Sequence, residues 1–377
     1  MMKTNKLGLY IHIPFCIKKC RYCDFLSFSY SDKDLIWAYV NTLVSEIRRQ
    51  SKEYDYRVDS IFIGGGTPTL VDAEHIWKIL DGIYRSFQVE SNVEITIESN
   101  PKTLSKEKLK AYHGMNINRL SMGVQSLNDG LLDLLGRTHS AKDFYNNYED
   151  ARIIGFDNIN LDLIFSIPGQ TVSIWVETLN KVLELNPEHI SFYSLQLEED
   201  TQFYKMYEEG KFNLIDDETD RFMYHKALSL MKEKGYIHYE ISNVARPGYE
   251  CRHNLKYWSM ENYLGLGLGA HSYINGYRFA NLGDIKEYID GTEKVDWFHR
   301  NSEKDDITEY IITGLRKIEG ISLKDFERRY RANLCDLYKE SIDKHRKDGL
   351  LEIDTNGSLK LTMLGIDIAN KVLVDFV

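Results

Sequence analysis

Cysteine is scarce in this chain of 377 residues, with five in all, and two of them, Cys251 and Cys335, stand far from any other. That spacing gives no disulfide framework, and so few cysteines fit a reducing cytosol. Positive charge is also in short supply: 47 basic against 57 acidic residues leave a formal charge of −10. No long basic run offsets it, which argues against a nucleic-acid backbone as partner. No apolar run approaches the roughly 20 residues of a membrane-spanning helix. The first apolar stretch is short, is broken by His12 and Pro14, and lacks a small-residue cleavage site, so it does not read as a secretory signal. Repeats of fixed period and low-complexity segments are missing too. These absences lead to the expectation of a cytoplasmic protein with no membrane span. What is there, 43% hydrophobic and 28% charged residues, is enough to bury a sizeable core in one large domain plus a smaller one.

The other three cysteines fall within eight residues. Gly8–Ile13 reads as a strand in which Ile11 and Ile13 alternate with Tyr10 and His12, and Pro14 stops it. The loop that follows carries Cys16, Cys20 and Cys23. Three thiolates on one loop suit a single soft-metal centre. Structural zinc sites usually pair C-x2-C with two further ligands, whereas this group is C-x3-C-x2-C with no neighbouring histidine. A four-iron cubane on three cysteines keeps one iron without a protein ligand, free to bind a small molecule and deliver an electron to it. The competing readings are a zinc knuckle or unrelated surface thiols.

Strand and helix then alternate. A helical pattern over Leu35–Ile47 precedes a buried strand, Val58–Ile63, that ends in Gly64-Gly65-Gly66-Thr67-Pro68. Further strands are expected at Val93–Glu98, Arg119–Gly123, Asn158–Phe165 and His189–Leu195, with helices between them. About six such units call for a parallel sheet with crossover helices. Glu94, Thr96 and Glu98 share one face of their strand, as do Asn160 and Asp162 of theirs, so the polar faces look inward. The chemically suggestive residues fall at strand ends, which suits a barrel mouth better than an open sheet with one switch point. The expected fold is α/β: a partial (β/α)6 TIM-like barrel over 1–235, a connecting region over 236–300, and an α+β winged-helix-like domain over 301–377. The last rests on three short helices and a hairpin, Leu350–Asp354 with Ser358–Leu361, around Asn356-Gly357. The acidic balance favours a protein-contact or lid role for it over DNA binding.

Taken singly, most candidate residues have plain alternatives. The glycine run offers backbone amides to a ligand, or is an ordinary strand-to-helix turn. Glu98 and Asp162 are ligand partners or satisfied buried acids. Arg137 is a surface cation or pairs with a ligand carboxylate.

The cysteine loop after the first strand resembles the signature of radical S-adenosylmethionine (SAM) proteins, in which the exposed iron of a 4Fe–4S cluster binds SAM. Longer motifs narrow the resemblance to the oxygen-independent coproporphyrinogen III oxidase family: Tyr10-Ile-His-Ile-Pro-Phe-Cys16, Arg119-Leu-Ser-Met-Gly-Val-Gln125-Ser, Leu135-Gly-Arg-Thr-His139, Asp162-Leu-Ile-Phe-Ser-Ile-Pro168-Gly-Gln170 and His238-Tyr-Glu-Ile-Ser-Asn243. The resemblance implies cluster ligation by Cys16, Cys20 and Cys23, and SAM contacts at Tyr10, Tyr22, Gly65, Gly66, Thr67, Glu98, Gln125, Arg137 and Asp162. Ser166-Ile167 replaces the commoner Gly-Leu. More informative is Phe25, which stands where the oxidases carry a further cysteine, and the chain lacks their N-terminal extension. Both departures resemble the non-oxidase, haem-chaperone branch of the family, which carries His-Asn-x-x-Tyr-Trp, here His253 to Trp258. That branch implies haem contact at His253 and Tyr257, since an imidazole beside aromatic rings can ligate or stack on haem. By itself His253 would be a histidine that orders a turn, and Cys251 beside it a core thiol. The implied partners are haem, SAM and a haem-acceptor protein, with a membrane reached only peripherally through the acceptor. The alternatives are coproporphyrinogen III oxidation by a 5′-deoxyadenosyl radical and a plain metal-binding scaffold.

Overall fold

Alternation of side chains along the strands sets the architecture of the computed structural model, which describes residues 5–29, 32–291 and 295–377. In β1 (Lys6–Ile13), Leu7, Leu9, Ile11 and Ile13 are fully buried against the helices, and Tyr10 and His12 point the other way. Two short strands, β2 (Phe15–Cys16) and β3 (Phe28–Ser29), pair in parallel and close the cysteine loop at its base. After α1 (Lys33–Gln50) come β4 (Arg57–Gly65), α2 (Ala73–Ser86), β5 (Gln88–Ser99) and α3 (Lys106–Gly114). Then follow β6 (Arg119–Gln125), α4 (Asp129–Leu135), α5 (Ala141–Ile154), β7 (Ile159–Phe165), α6 (Val172–Glu184) and β8 (His189–Ser194). The six strands β1, β4, β5, β6, β7 and β8 pair side by side in that order, all parallel. Sequential neighbours joined by helices are the signature of right-handed crossovers curling into a barrel. The expected partial (β/α)6 barrel is what forms.

The helices form where periodicity and caps coincide. In α1, Ile36, Val40, Leu43 and Ile47 fall on one buried face, and Asp32 accepts hydrogen bonds from the amides of Asp34 and Leu35. A capping box between Ser140 and Asp143 starts α5, and Gly155 in the left-handed region ends it. Such caps contribute about 1 kcal/mol each.

Beyond α7 (Gln202–Glu208) and α8 (Asp217–Glu233), the segment expected as a connection joins the same sheet at both edges. Beside β8 lie β10 (Asn243–Ala245) and β9 (Ile237–Glu240), both antiparallel. The chain then crosses the open side of the barrel through α9 (Arg252–Trp258) and enters β11 (Tyr263–Leu266), parallel to β1. An antiparallel meander of β12 (His271–Ile274), β13 (Tyr277–Asn281) and β14 (Val295–Arg300), with α10 (Ile285–Asp290) between the last two, brings the sheet to twelve strands among the described residues.

The C-terminal part holds α11 (Glu303–Gly314), β15 (Ile321–Ser322), α12 (Leu323–Tyr330), α13 (Leu334–Leu337), α14 (Lys339–Lys347), β16 (Leu351–Ile353), β17 (Ser358–Leu361), α15 (Met363–Asp367) and α16 (Ala369–Leu373). Its sheet has the order β15-β17-β16, with Gly357 at positive φ in the β16–β17 turn, as a winged-helix hairpin requires. Ile318 N–H donates to the Tyr239 carbonyl and Ile241 N–H to the Arg316 carbonyl, each at 3.1 Å, tying this part to β9. Among the described residues no helix is long and apolar enough to cross a membrane.

Candidate cofactor site

The inward-facing positions of the six barrel strands enclose two polar spaces, one at the mouth and one below it. The upper cavity, about 390 Å³, is lined by Cys16, Cys20, Tyr22, Cys23, Gly65, Gly66, Thr67, Glu98, Gln125, Arg137 and Asp162. The lower chamber, about 230 Å³, shares Glu98 and Asp162 and adds Tyr10, His253 and Tyr257. The structure thus gathers eleven of the fourteen expected site residues at the mouth and places Tyr10, His253 and Tyr257 beneath them.

The cysteine loop is held from outside. Arg21 N–H donates to the Leu135 carbonyl at 3.0 Å, and its guanidinium donates to the carbonyls of Asp133 and Leu134 at 2.8 and 3.0 Å, at the C-terminal end of α4. A cation at a helix C-terminus is favourably placed against the dipole. Across the cavity, Arg137 donates to the Gly123 carbonyl at 2.7 Å and reaches the Cys20 sulfur at 3.5 Å. Its Nε is buried with no partner. The Thr67 hydroxyl lies 3.6 Å from the Cys16 sulfur.

Two backbone features make room for a ligand. Gly65 has φ +115°, and a Cβ on Gly66 would come within 2.8 Å of the Phe15 carbonyl. Only glycine fits this approach of the β4 end to the cysteine loop. Gln125 also has positive φ, where β6 slips register against β7, the kind of local strain that re-aims a side chain at a functional site.

Two carboxyls meet at the boundary between the spaces. Glu98 Oε2 accepts from Gly65 N–H at 3.1 Å. Asp162 accepts from the Asn160 amide at 2.8 Å and the Ser121 hydroxyl at 3.0 Å. Burial, with the Asp162 charge nearby, pushes Glu98 up to about 8, and burial also raises Asp162. With fewer donors around it, Glu98 holds its proton more tightly than an ordinary carboxyl.

The donor chemistry fits an iron–sulfur cluster. Among the described residues no three His, Cys, Asp or Glu side chains gather round one point as for a single metal ion. Three thiols spread along one cavity wall suit instead a cluster in which each binds a different iron. The orphaned Arg137 Nε leaves a donor for a second ligand beside it, along a wall that Gly65 and Gly66 keep clear of side chains; the N–H groups of those two glycines are engaged by Glu98 and the Ile13 carbonyl.

Below, α9 forms the floor of the barrel. Glu94 accepts from the backbone N–H groups of Arg252 and His253, both at 3.0 Å, and so caps the helix. His253 is 1% exposed, and its ring nitrogens are 2.9 Å from the Ser60 hydroxyl and 2.9 Å from the Tyr257 hydroxyl. Burial, with the Lys256 and Arg119 charges, lowers its pKa to about 3, so the ring is neutral. Both ring nitrogens are engaged in this arrangement. Tyr10 OH is 3.0 Å from His12 Nδ1, so this tyrosine lines the chamber and not the mouth.

Some residues at the mouth escaped the sequence reading. Tyr193 and Ser194 line the cavity at the end of β8. Tyr193 continues the inward face of His189 and Ser191, a signal present in the alternation. Ser194 and Ser166 both donate to one oxygen of Asp220, a pairing that no local pattern announces.

Known proteins share this arrangement. Residues 10–182 match the Radical SAM superfamily and residues 301–368 the HemN C-terminal domain. The chain is 40% identical to the "Heme chaperone HemW" of Bacillus subtilis (strain 168), over 97% of this chain and 98% of that protein. It is 36% identical to the protein of the same name from Lactococcus lactis subsp. lactis (strain IL1403), over 100% and 98%. The solved structure of the coproporphyrinogen III oxidase HemN of Escherichia coli superposes with a TM-score of 0.85 at 24% identity, over 98% of this chain and 89% of that one, a likeness of fold. A radical SAM barrel with a HemN-type C-terminal domain, matched along its whole length at this identity, belongs to the HemW family of haem chaperones.

Proposed function

We propose that the chain binds haem and passes it to an acceptor protein in the cytoplasm, with a 4Fe–4S cluster on Cys16, Cys20 and Cys23 and SAM beside it. The observation that carries this reading is the 40% identity to a haem chaperone along essentially the entire chain. When bound, the cluster supplies an open iron for the amino and carboxylate groups of SAM and an electron to reduce it. The protein's own residues position that ligand. Arg137 offers its unpaired Nε toward a carboxylate, Gly65, Gly66 and Thr67 line the approach to an amino group, and Glu98, Gln125 and Asp162 receive the remaining polar groups. Tyr22 closes the wall beside Arg137. Tyr10, His253 and Tyr257 support the floor. The C-terminal domain offers surface to the acceptor, and a membrane is reached only through that acceptor.

Oxidation of coproporphyrinogen is the second reading, and the floor weighs against it. A chamber of about 230 Å³ below the mouth is smaller than the roughly 300–1,000 Å³ of ordinary ligand sites. Anaerobic reconstitution should yield about four iron and four sulfide per chain, lost in Cys20→Ala. The haem-loaded chain should then restore the spectrum of a haem-depleted acceptor. Turnover of coproporphyrinogen, or failure to bind haem, overturns the proposal.

A further inference from the structure

Two arginines point into the barrel, at two levels. Arg137, at the mouth, donates to the Gly123 carbonyl and reaches the Cys20 sulfur. Arg119 opens β6 one layer down, and alternation puts it on the inward face with Ser121. It lines the lower chamber, is 2% exposed, and makes no hydrogen bond or ion pair among the described residues. Its Nε is buried without a partner. The acids whose charges reach it, Glu94 and Asp162, spend their oxygens on other donors. Glu94 accepts from the N–H groups of Arg252 and His253, and Asp162 from Asn160 and Ser121. Withdrawing a guanidinium from water with nothing to bond is strongly unfavourable. A chamber that holds one such open cation is a place for an anion.

A second donor faces the same space. Asn254, next to His253 on α9, lines the chamber, and its side-chain amide has no hydrogen-bond partner among the described residues. The neighbouring hydroxyls are taken, that of Tyr257 by His253 and that of Tyr10 by His12. The two open donors specify the kind of anion. One uncompensated charge calls for a monoanion, and the planar fork of a guanidinium matches a carboxylate through two parallel hydrogen bonds. Glu98, which burial pushes up to about 8, is mostly uncharged at neutral pH and repels such a ligand little. A volume of about 230 Å³ suits a short acid or the acid arm of a larger molecule. Glu98, Asp162 and Tyr193 line both spaces, so the chamber adjoins the mouth.

We propose that the lower chamber is a carboxylate site, with Arg119 as the counter-ion and the Asn254 amide as the second donor, distinct from the contact Arg137 offers at the mouth. Two sources carry that chemistry, a propionate of haem and a free short-chain acid, and the first rests on the haem-binding reading above. The test compares hemin with hemin dimethyl ester, whose propionates are capped, in anaerobic Soret titrations of the full chain, as wild type and Arg119→Met. Thermal unfolding of the same two proteins with and without propionate, at constant ionic strength, tests the free acid. Far-UV circular dichroism controls for folding, and the ester comparison on wild type needs no variant. The expected result is saturable binding of about one haem per chain, about tenfold or more tighter for hemin than for the ester, a preference that Arg119→Met removes. Hemin and ester binding alike, with propionate raising the midpoint of wild type and not of Arg119→Met, keeps the site and makes the free acid its ligand. No Arg119-dependent effect of either kind means that water alone fills the chamber and overturns the site, while saturable hemin binding spares the haem-binding reading. Wild type that binds no hemin overturns that reading, and the response to propionate then decides the site.

Discussion

Glu98 gives the sharpest quantitative consequence of the site. Its carboxyl titrates at about 8 in the folded chain, against 4.5 when unperturbed, because it is buried beside Asp162. A folded-state pKa above the unfolded value means that the fold binds a proton that the unfolded chain releases. Stability from this group is therefore complete below about pH 4.5 and is lost as pH rises toward 8. At pH 7 the loss is about 1.4 kcal/mol for each of roughly 2.5 pH units, an upper figure of about 3 kcal/mol. Partial solvent contact through the cavity reduces it to about 1–3 kcal/mol. Glu98→Gln keeps an oxygen to accept from Gly65 N–H but cannot ionise. The variant should match wild type in urea unfolding at pH 5 and exceed it by about 1–3 kcal/mol at pH 7, both as the full chain without cluster or SAM. Other titrating groups cancel in the difference. Stability–pH curves that run parallel for the two proteins would falsify the assignment. The same penalty has a functional side, since a cationic ligand in the cavity stabilises the carboxylate. SAM binding should then release a proton below pH 8, with affinity rising toward that pH in wild type and flat in Glu98→Gln.

Removing the Arg137 guanidinium by Arg137→Leu should weaken SAM binding to the reconstituted protein by about tenfold or more, the worth of a charge-assisted hydrogen bond; equilibrium dialysis measures it, and unchanged affinity would place the SAM carboxylate elsewhere. Glu94→Ala leaves two helix N–H groups of α9 without acceptors and should cost about 2–3 kcal/mol in urea unfolding, a loss below 0.5 kcal/mol meaning that water replaces the cap. Trp258→Ala removes the ring under Arg316, whose guanidinium lies 4.5 Å from its centroid; about 1 kcal/mol of contact is lost, and proteolysis in the linker before α11 should accelerate.

The barrel was legible because its six strands each bury one apolar face and carry polar residues on the other. The glycine turn and the cysteine loop were legible because each is a dense local signal. Height along the barrel axis was not. Alternation reports which face Tyr10 and Glu98 occupy, but the pattern is the same whether a side chain ends at the mouth or one layer down. The SAM contact expected of Tyr10 rests on the family resemblance, and the structure places that side chain in the lower chamber. The segment 236–300 read as a connection because its strands run three to six residues and lie at sheet edges, where pairing is decided by distant partners. The seven-residue α9 lacks the length for a periodic pattern, and its cap, Glu94, lies more than 150 residues away in sequence.

On that helix His253, Tyr257 and Trp258 take separate places. His253 and Tyr257 are four residues apart and so share a face, which meets the barrel interior and places the imidazole between Ser60 and the tyrosine hydroxyl. Trp258 is rotated about 100° from Tyr257 and lies under Arg316 instead. Lys256, only 3% exposed, pairs with Asp59 at 2.9 Å and Glu261 at 3.0 Å and ties the helix to β4. One short element thus touches the barrel floor with one face and the C-terminal domain with another. The buried, neutral ring of His253 thus has both nitrogens hydrogen-bonded within the barrel floor, and the spacing of the three residues lets one short helix anchor the floor to the C-terminal domain.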